Sequence, residues 1–393
     1  MKISALNQVN SFMSKNKVSA TNQTHSNNSI KTNLSIPLPY KNHNITSFKG
    51  NVAVLGYNCT PDDMYNWIIE QRKTIITTKD KYQNTVLHKA AQNDNPEVLK
   101  LIMAEIKRNG ILEEAFQTKN SQGCTAVHCA AREGRTENLK QIIDAFKDRP
   151  ETLQKLLTEQ TNNGLNAFSI AAYNGHNEVL KIMLDLFKSN PEKLKEAAKA
   201  KSDYGTTIQV CISDPYTFDT MLNVFDDNEE LKHALTQQDK DGLTALNIAV
   251  DCNNKESFAK VLSLFGNDLD GLQKFLSLTI NSMNIMYISE FDGNNILHDI
   301  CRRNRTGFIP IIFEALKDEP ERFSELLKQQ DTRYGNTPLH YAVLFGNNDV
   351  IKEILKTGVN KEILQITNNR CDTPLRLAKS KSSETFNTIL SLI

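Results

Sequence analysis

The chain has 393 residues, enough for two or three domains or for one long repeat array. Its 46 basic and 46 acidic residues cancel, so no overall field draws it to nucleic acid or anionic lipid. No apolar run approaches the roughly 18 residues that span a bilayer, and the opening MKISALNQVNSFMSK lacks the apolar stretch of a cleavable signal.

Residues 1–50 are rich in Asn, Ser, Thr and Lys, with little to bury against the entropy of ordering. A disordered tail is expected there, with IPLPY (36–40) as an extended linker within it. Thr60, Pro61, Asp62 and Asp63 then read as a helix start: an N-cap, a first-turn proline, and two acids at the dipole's positive end. With Met64, Trp67 and Ile68 they make 51–78 an N-terminal capping segment. The cysteines are Cys59, Cys124, Cys129, Cys211, Cys252, Cys301 and Cys371, an odd and scattered set without a Cys-x-x-Cys pair. They read as reduced, buried thiols in a cytosolic protein rather than as a disulfide framework or zinc site.

From residue 79 onward one unit recurs eight times. Its Thr position is filled by Thr85, Thr125, Asn166, Thr207, Thr244, Asn295, Thr337 and Thr373, spaced 40, 41, 41, 37, 51, 42 and 36 apart. Two residues earlier stand Gln83, Gly123, Gly164, Gly205, Gly242, Gly293, Gly335 and Cys371, as expected of a hairpin turn that needs positive φ. Small or apolar residues five places after the Thr position and an i, i+3 stripe farther on (Leu99 with Ile102, Leu139 with Ile142) predict a short helix followed by a longer one. In RPETLQKLL, NPEKLKEAA and EPERFSELL, Pro-Glu followed by leucines predicts a short added helix. Repeat four is the weakest copy, with Gln209 in an apolar slot and SDPY where a glycine turn belongs, so a soft seam is expected there. The 51-residue spacing marks an insertion at 275–290.

GNTPLHYAVLFGNNDVIKEIL and GCTAVHCAAREGRTENLKQII resemble ankyrin repeats, whose signature is T-P-L-H-x-A. The resemblance covers residues 79–393 and implies an all-α solenoid of about eight helix-turn-helix repeats with hairpin loops. It also implies that His88, His128, His298 and His340, which share one frame position, bond to local backbone and hold the turn. Four equivalent histidines in four modules do not fit a catalytic role. Cys129 and Cys211 are read as sharing a slot next to the histidine, and adjacent helix residues do not face each other as a nucleophile pair would. The sequence offers no Gly-rich phosphate loop and no His-x-x-x-His pair, so no cofactor, metal or catalytic residue is expected.

In an ankyrin solenoid the hairpin tips and inner-helix ends line a concave groove. Those positions hold Tyr82, Arg132, Tyr173, Tyr204, Phe291, Arg302, Arg303, Arg333, Tyr334 and Phe345, residue types that dominate protein–protein hot spots. Arg302, Arg303, Arg333, Tyr334 and Phe345 are expected to form one aromatic–basic patch suited to an acidic or phosphorylated protein segment. Arg303, outside the core frame, is expected to contribute little to stability. The resulting function is a monomeric, non-enzymatic scaffold for a protein partner, binding neither nucleic acid nor membrane. The tail and the long period also resemble those of bacterial effectors secreted into a host cell's cytoplasm, which would make the partner a host protein. The rival reading is an ankyrin-containing effector enzyme, a protease or transferase; the 78 residues before the array leave little room for its catalytic core.

Overall fold

The glycine turns, short helices and amphipathic stripes predict a repeating unit, and the computed structural model builds it. It describes residues 78–280, 293–358 and 361–393, all within the unit Thr32–Ile393. The proposed tail and linker, all of the proposed cap but Thr78, and Phe291 lie outside the described residues.

Repeat one carries an inner helix α1 (Val86–Gln92), an outer helix α2 (Pro96–Arg108) and a third helix α3 (Leu112–Gln117). Repeat two follows as α4 (Ala126–Arg132), α5 (Thr136–Ala145) and α6 (Pro150–Thr158). Repeat three is α7 (Ala167–Tyr173), α8 (Asn177–Asp185) and α9 (Pro191–Lys199). A two-stranded antiparallel hairpin, β1 (Lys201–Ser202) with β2 (Gly205–Thr206), pairs Lys201 with Thr206 and opens repeat four. That repeat continues as α10 (Thr207–Cys211), α11 (Pro215–Leu222) and α12 (Asn228–Thr236). Next come α13 (Ala245–Asp251), α14 (Lys255–Ser263) and α15 (Leu269–Leu276) in repeat five. Repeat six has α16 (Ile296–Arg303), α17 (Phe308–Ala315) and α18 (Pro320–Lys328). Repeat seven has α19 (Pro338–Leu344), α20 (Asn348–Lys356) and a 3-10 turn at Lys361–Leu364. Repeat eight closes with α21 (Pro374–Lys381) and α22 (Ser383–Leu390).

Each inner helix packs on the next inner helix and each outer helix on the next outer one, giving a helical solenoid. The inner layer closes tightly because Ala90, Ala130, Ala171, Ala249, Ala342 and Ala378 put almost no volume between helices, and all six are fully buried. Outer layers are joined by larger groups. Phe116 meets Phe146 edge-on at 5.3 Å, and Phe258 meets Phe308 at 5.0 Å.

Three features differ from the sequence expectation. The added third helix occurs in six repeats, not only in the three that open with Pro-Glu. Helices α3, α12 and α15 bury the same i, i+3, i+4 apolar set, Leu112/Ala115/Phe116 in the first and Leu272/Phe275/Leu276 in the last. Second, repeat four is shifted by one. Its N-cap is Thr206 and its third helical residue is Gln209, so Gln209 fills the histidine slot rather than an apolar one, and Cys211 aligns with Ala130, not Cys129. Third, the extra residues of repeat six enter at its hairpin tip. The base of that hairpin is closed by Ile280 N–H to Asn294 O and Gly293 N–H to Ile280 O, both 2.9 Å. The same pair closes repeat one between Asp80, Gln83 and Asn84. Subtracting the two spans, (294 − 280) − (84 − 80), leaves ten residues, which brings the 51-residue spacing back to the common period.

Candidate functional site

The face carried by hairpin tips and inner helices is built by short-range bonds that recur along the array. Asp80 Oδ1 accepts from the backbone N–H groups of Tyr82 (2.9 Å) and Asn84 (2.8 Å), folding the tip over itself. Asn120, Asp239 and Asn368 do the same in their repeats. The residue at the tip's end takes φ between +62° and +94° in repeats one to five, glycine in four of those five and Gln83 in the first. Cys371 stands there in repeat eight at φ +60°.

The four repeat histidines sit one turn beyond the tip and are consumed by it. Nδ1 of His88, His128, His298 and His340 accepts the N-cap backbone N–H at 3.0–3.2 Å. That fixes the proton on Nε2, which donates to the carbonyls of Cys124, Glu159, Asn336 and Asp372 respectively at 2.8–3.1 Å. Burial is the main cause that lowers the pKa of His88, His128 and His298 to about 4, and it lowers that of His340 too. Each ring is thus a neutral crosslink at the base of a hairpin. Gln209 reproduces both bonds in repeat four: its Oε1 accepts from Thr206 N–H at 2.6 Å and its Nε2 donates to Leu235 O and Gln237 O. The expected soft seam is therefore pinned by the same device.

The tips of repeats one to five, and those of seven and eight, are tied backbone to backbone. Ser121 N–H donates to Tyr82 O (2.9 Å), Asn162 to Gln122 (3.0 Å), Asp203 to Asn163 (2.9 Å), Lys240 to Asp203 (3.2 Å) and Asn369 to Tyr334 (2.9 Å). Gln160, Gln238 and Gln330 add a second tie, each amide bridging its own hairpin to the carbonyl of residue 201, 279 or 367 in the next. Side chains on this ladder are held at fixed spacing before any partner arrives.

The expected surface residues fall into two groups. Half-buried Tyr173 and Tyr204 approach with ring centroids 5.9 Å apart, and the exposed Lys240 ammonium lies 4.7 Å from the Tyr204 ring. Arg132 and Tyr173 line one cleft of about 310 Å³ between repeats two and three. Tyr82 carries Lys81 over its ring, Arg333 lies over Tyr334, and exposed Phe345 stacks on buried Tyr341 at 6.3 Å. Arg302 and Arg303 are different. Both donate to the buried Asp299 carboxylate (2.6 and 2.9 Å), and Arg303 also pairs with Asp251. Burial works against the charge on Asp299, but Arg303 and Arg302 more than offset it and lower its pKa; at Asp251 burial prevails and raises it. Arg303 is thus an internal counter-ion, which corrects the expectation that it contributes little to stability. Cys124, Cys129, Cys211 and Cys301 are buried, and burial pushes the Cys124 and half-buried Cys252 thiols to about 12. Among the described residues no cluster of His, Cys, Asp and Glu could hold a metal ion, and no helix is long and apolar enough to cross a membrane.

These repeats have known counterparts. The family model described as ankyrin repeats matches residues 52–149 and 263–365, and the chain belongs to that family. Its first match begins at residue 52, inside the segment read as a cap. The Saccharomyces cerevisiae ankyrin repeat-containing protein YGL242C is 31% identical over 88 residues, 22% of this chain and 49% of that protein, so the chain spans about half the length of this relative. The human ASB11 ankyrin repeat domain aligns at 17% identity with a TM-score of 0.44, over 69% of this chain and 98% of that domain.

Proposed function

We propose that the protein is a non-catalytic, monomeric scaffold that grips a partner protein along the face of hairpin tips and inner helices. Ankyrin repeats generally mediate protein–protein interaction. The observation that carries the reading here is the backbone ladder between the tips of repeats one to five, which presents Tyr82, Tyr204 and Lys240 at fixed spacing. Preorganised aromatic and cationic anchors lower the entropic cost of association. The test is affinity capture with the full chain, reconstitution with the purified partner, and hydrogen exchange of the complex. Protection of tips and inner helices supports the proposal; protection confined to α2, α5 and α8, or turnover of the captured protein, overturns it.

Delivery into a host cell is the finer part of the proposal. It rests on the Asn-, Ser- and Thr-rich residues 1–50 and on a repeat period near 40. A translocation reporter fused behind residues 1–50 should reach the host cytoplasm; retention in the producing cell would sink this part and leave the scaffold reading intact.

A further inference from the structure

Resting on that scaffold reading, we infer that the cleft between repeats two and three takes an aspartate or glutamate side chain from an extended segment of the partner, whose neighbouring apolar side chain packs on the Tyr173–Tyr204 pair. Among the described residues, Arg132 is the only charged side chain that lines the cleft. Its side chain is 15% exposed, and its one hydrogen bond or ion pair among the described residues runs from Nε to Glu133 at 3.1 Å. Both terminal nitrogens of the fork are left to a ligand, in the geometry that suits a carboxylate. The amide side chains of Gln122 and Asn163, also in the lining, make no hydrogen bond among the described residues and supply further donors.

Charge and size select the occupant. One guanidinium, already shared with Glu133, matches a single carboxylate; a phosphate dianion would call for a cluster of cations. A volume of about 310 Å³ holds a side chain or two and stands at the lower limit of small-molecule sites. The cleft is continuous with an aromatic surface, since Tyr173 lines it and faces Tyr204 of the next hairpin at 5.9 Å. Stacked repeats lie about 8–10 Å apart and an extended chain rises about 3.3 Å per residue, so one repeat corresponds to about three residues of ligand. Acid and apolar residue should therefore stand about three positions apart. Arg302 and Arg303, spent on Asp299 and Asp251, offer no comparable fork to such a segment.

The experiment pans a displayed library of random dodecapeptides against the full chain and titrates the selected peptides calorimetrically. Selected peptides should share Asp or Glu with Phe, Tyr, Leu or Ile at the stated separation. Replacing the peptide's acid by its amide should weaken binding to the wild-type chain about tenfold or more, a comparison that needs no protein variant. In Arg132→Gln, acid and amide peptides should bind alike. The inference is overturned if amide peptides bind wild type as tightly as acids, if phosphoserine in place of the acid binds more tightly, or if only Arg333→Ala or Tyr334→Ala abolishes binding. That last result would keep the scaffold reading and move its site. A library that yields no binder overturns the inference, and the scaffold reading falls with it only if the captured partner also fails to reconstitute.

Discussion

Lowering the pH should unfold this protein through its repeat histidines. His88, His128 and His298 are held neutral in the fold with pKa values of about 4, whereas an unfolded histidine titrates near 6.5. Above about pH 6.5 both states are neutral and the histidines give stability no pH dependence. As pH falls below that value the unfolded chain takes up protons that the folded chain refuses, and the loss continues until about pH 4. At pH 5 the gap is about 1.5 pH units, or about 2 kcal/mol per histidine and about 6 kcal/mol for three. Asp239 acts in the opposite sense. Burial raises its pKa to about 6, so below that pH the folded state binds the extra proton and recovers about 1 kcal/mol at pH 5. For these four groups together the loss is about 5 kcal/mol, comparable to the whole stability of a modest domain. It is measured by urea denaturation followed by circular dichroism at pH 7.5, 6 and 5. Gln209 shows that glutamine can make both histidine bonds without titrating. His88→Gln, His128→Gln and His298→Gln combined should therefore fold at pH 7.5 and lose most of the slope. A wild-type loss under about 1 kcal/mol, or an unchanged slope in the triple variant, would refute the assignment.

Three further outcomes follow from particular residues. Gln83 and Cys371 adopt φ of +62° and +60°, where a side chain is strained, so Gln83→Gly and Cys371→Gly should each raise stability by about 0.5–1 kcal/mol in denaturant titrations; a loss at both positions would refute the strain argument. Arg303→Ala leaves buried Asp299 and half-buried Asp251 short of a counter-ion and should cost about 3 kcal/mol, whereas exposed Arg333→Ala should stay within about 0.5 kcal/mol in the same titration. Among the described cysteines, exposed Cys371 should react with a thiol reagent at neutral pH in the native protein, while Cys129, Cys211 and Cys301 should wait for unfolding; mass spectrometry of timed samples decides it, and early labelling of the buried three would contradict their packing.

Most of the repeat is legible in the sequence because its determinants are local. A positive-φ turn, an N-cap and the histidine three residues later interact within one hairpin and one helical turn, so they recur at fixed offsets and announce themselves. The added helices were half visible: Pro-Glu marks α6, α9 and α18, while α3, α12 and α15 start without it and are fixed by the apolar residues they bury. Repeat four hid its own register. One residue fewer between Gly205 and Thr206 moves Gln209 into the histidine slot, a shift revealed by the N-cap at Thr206 and by the bonds of Gln209 to Thr206 N–H and to the Leu235 and Gln237 carbonyls.

The tertiary structure alone decided how the surface side chains are paired. Arg132 and Arg303 look alike in the sequence, each at the end of an inner helix. Arg303 finds Asp251 at a separation of 52 residues and Asp299 on its own helix, so its charge is spent inside the protein. Among the described residues the Arg132 side chain meets Glu133 through Nε, and it lines a cleft shared with repeat three. The local pattern determined the unit and its stacking, because hairpin, cap and amphipathic helix are short-range objects. Counter-ion choice and the place of the ten inserted residues were left to the fold, since both depend on which distant segments the stacking brings side by side.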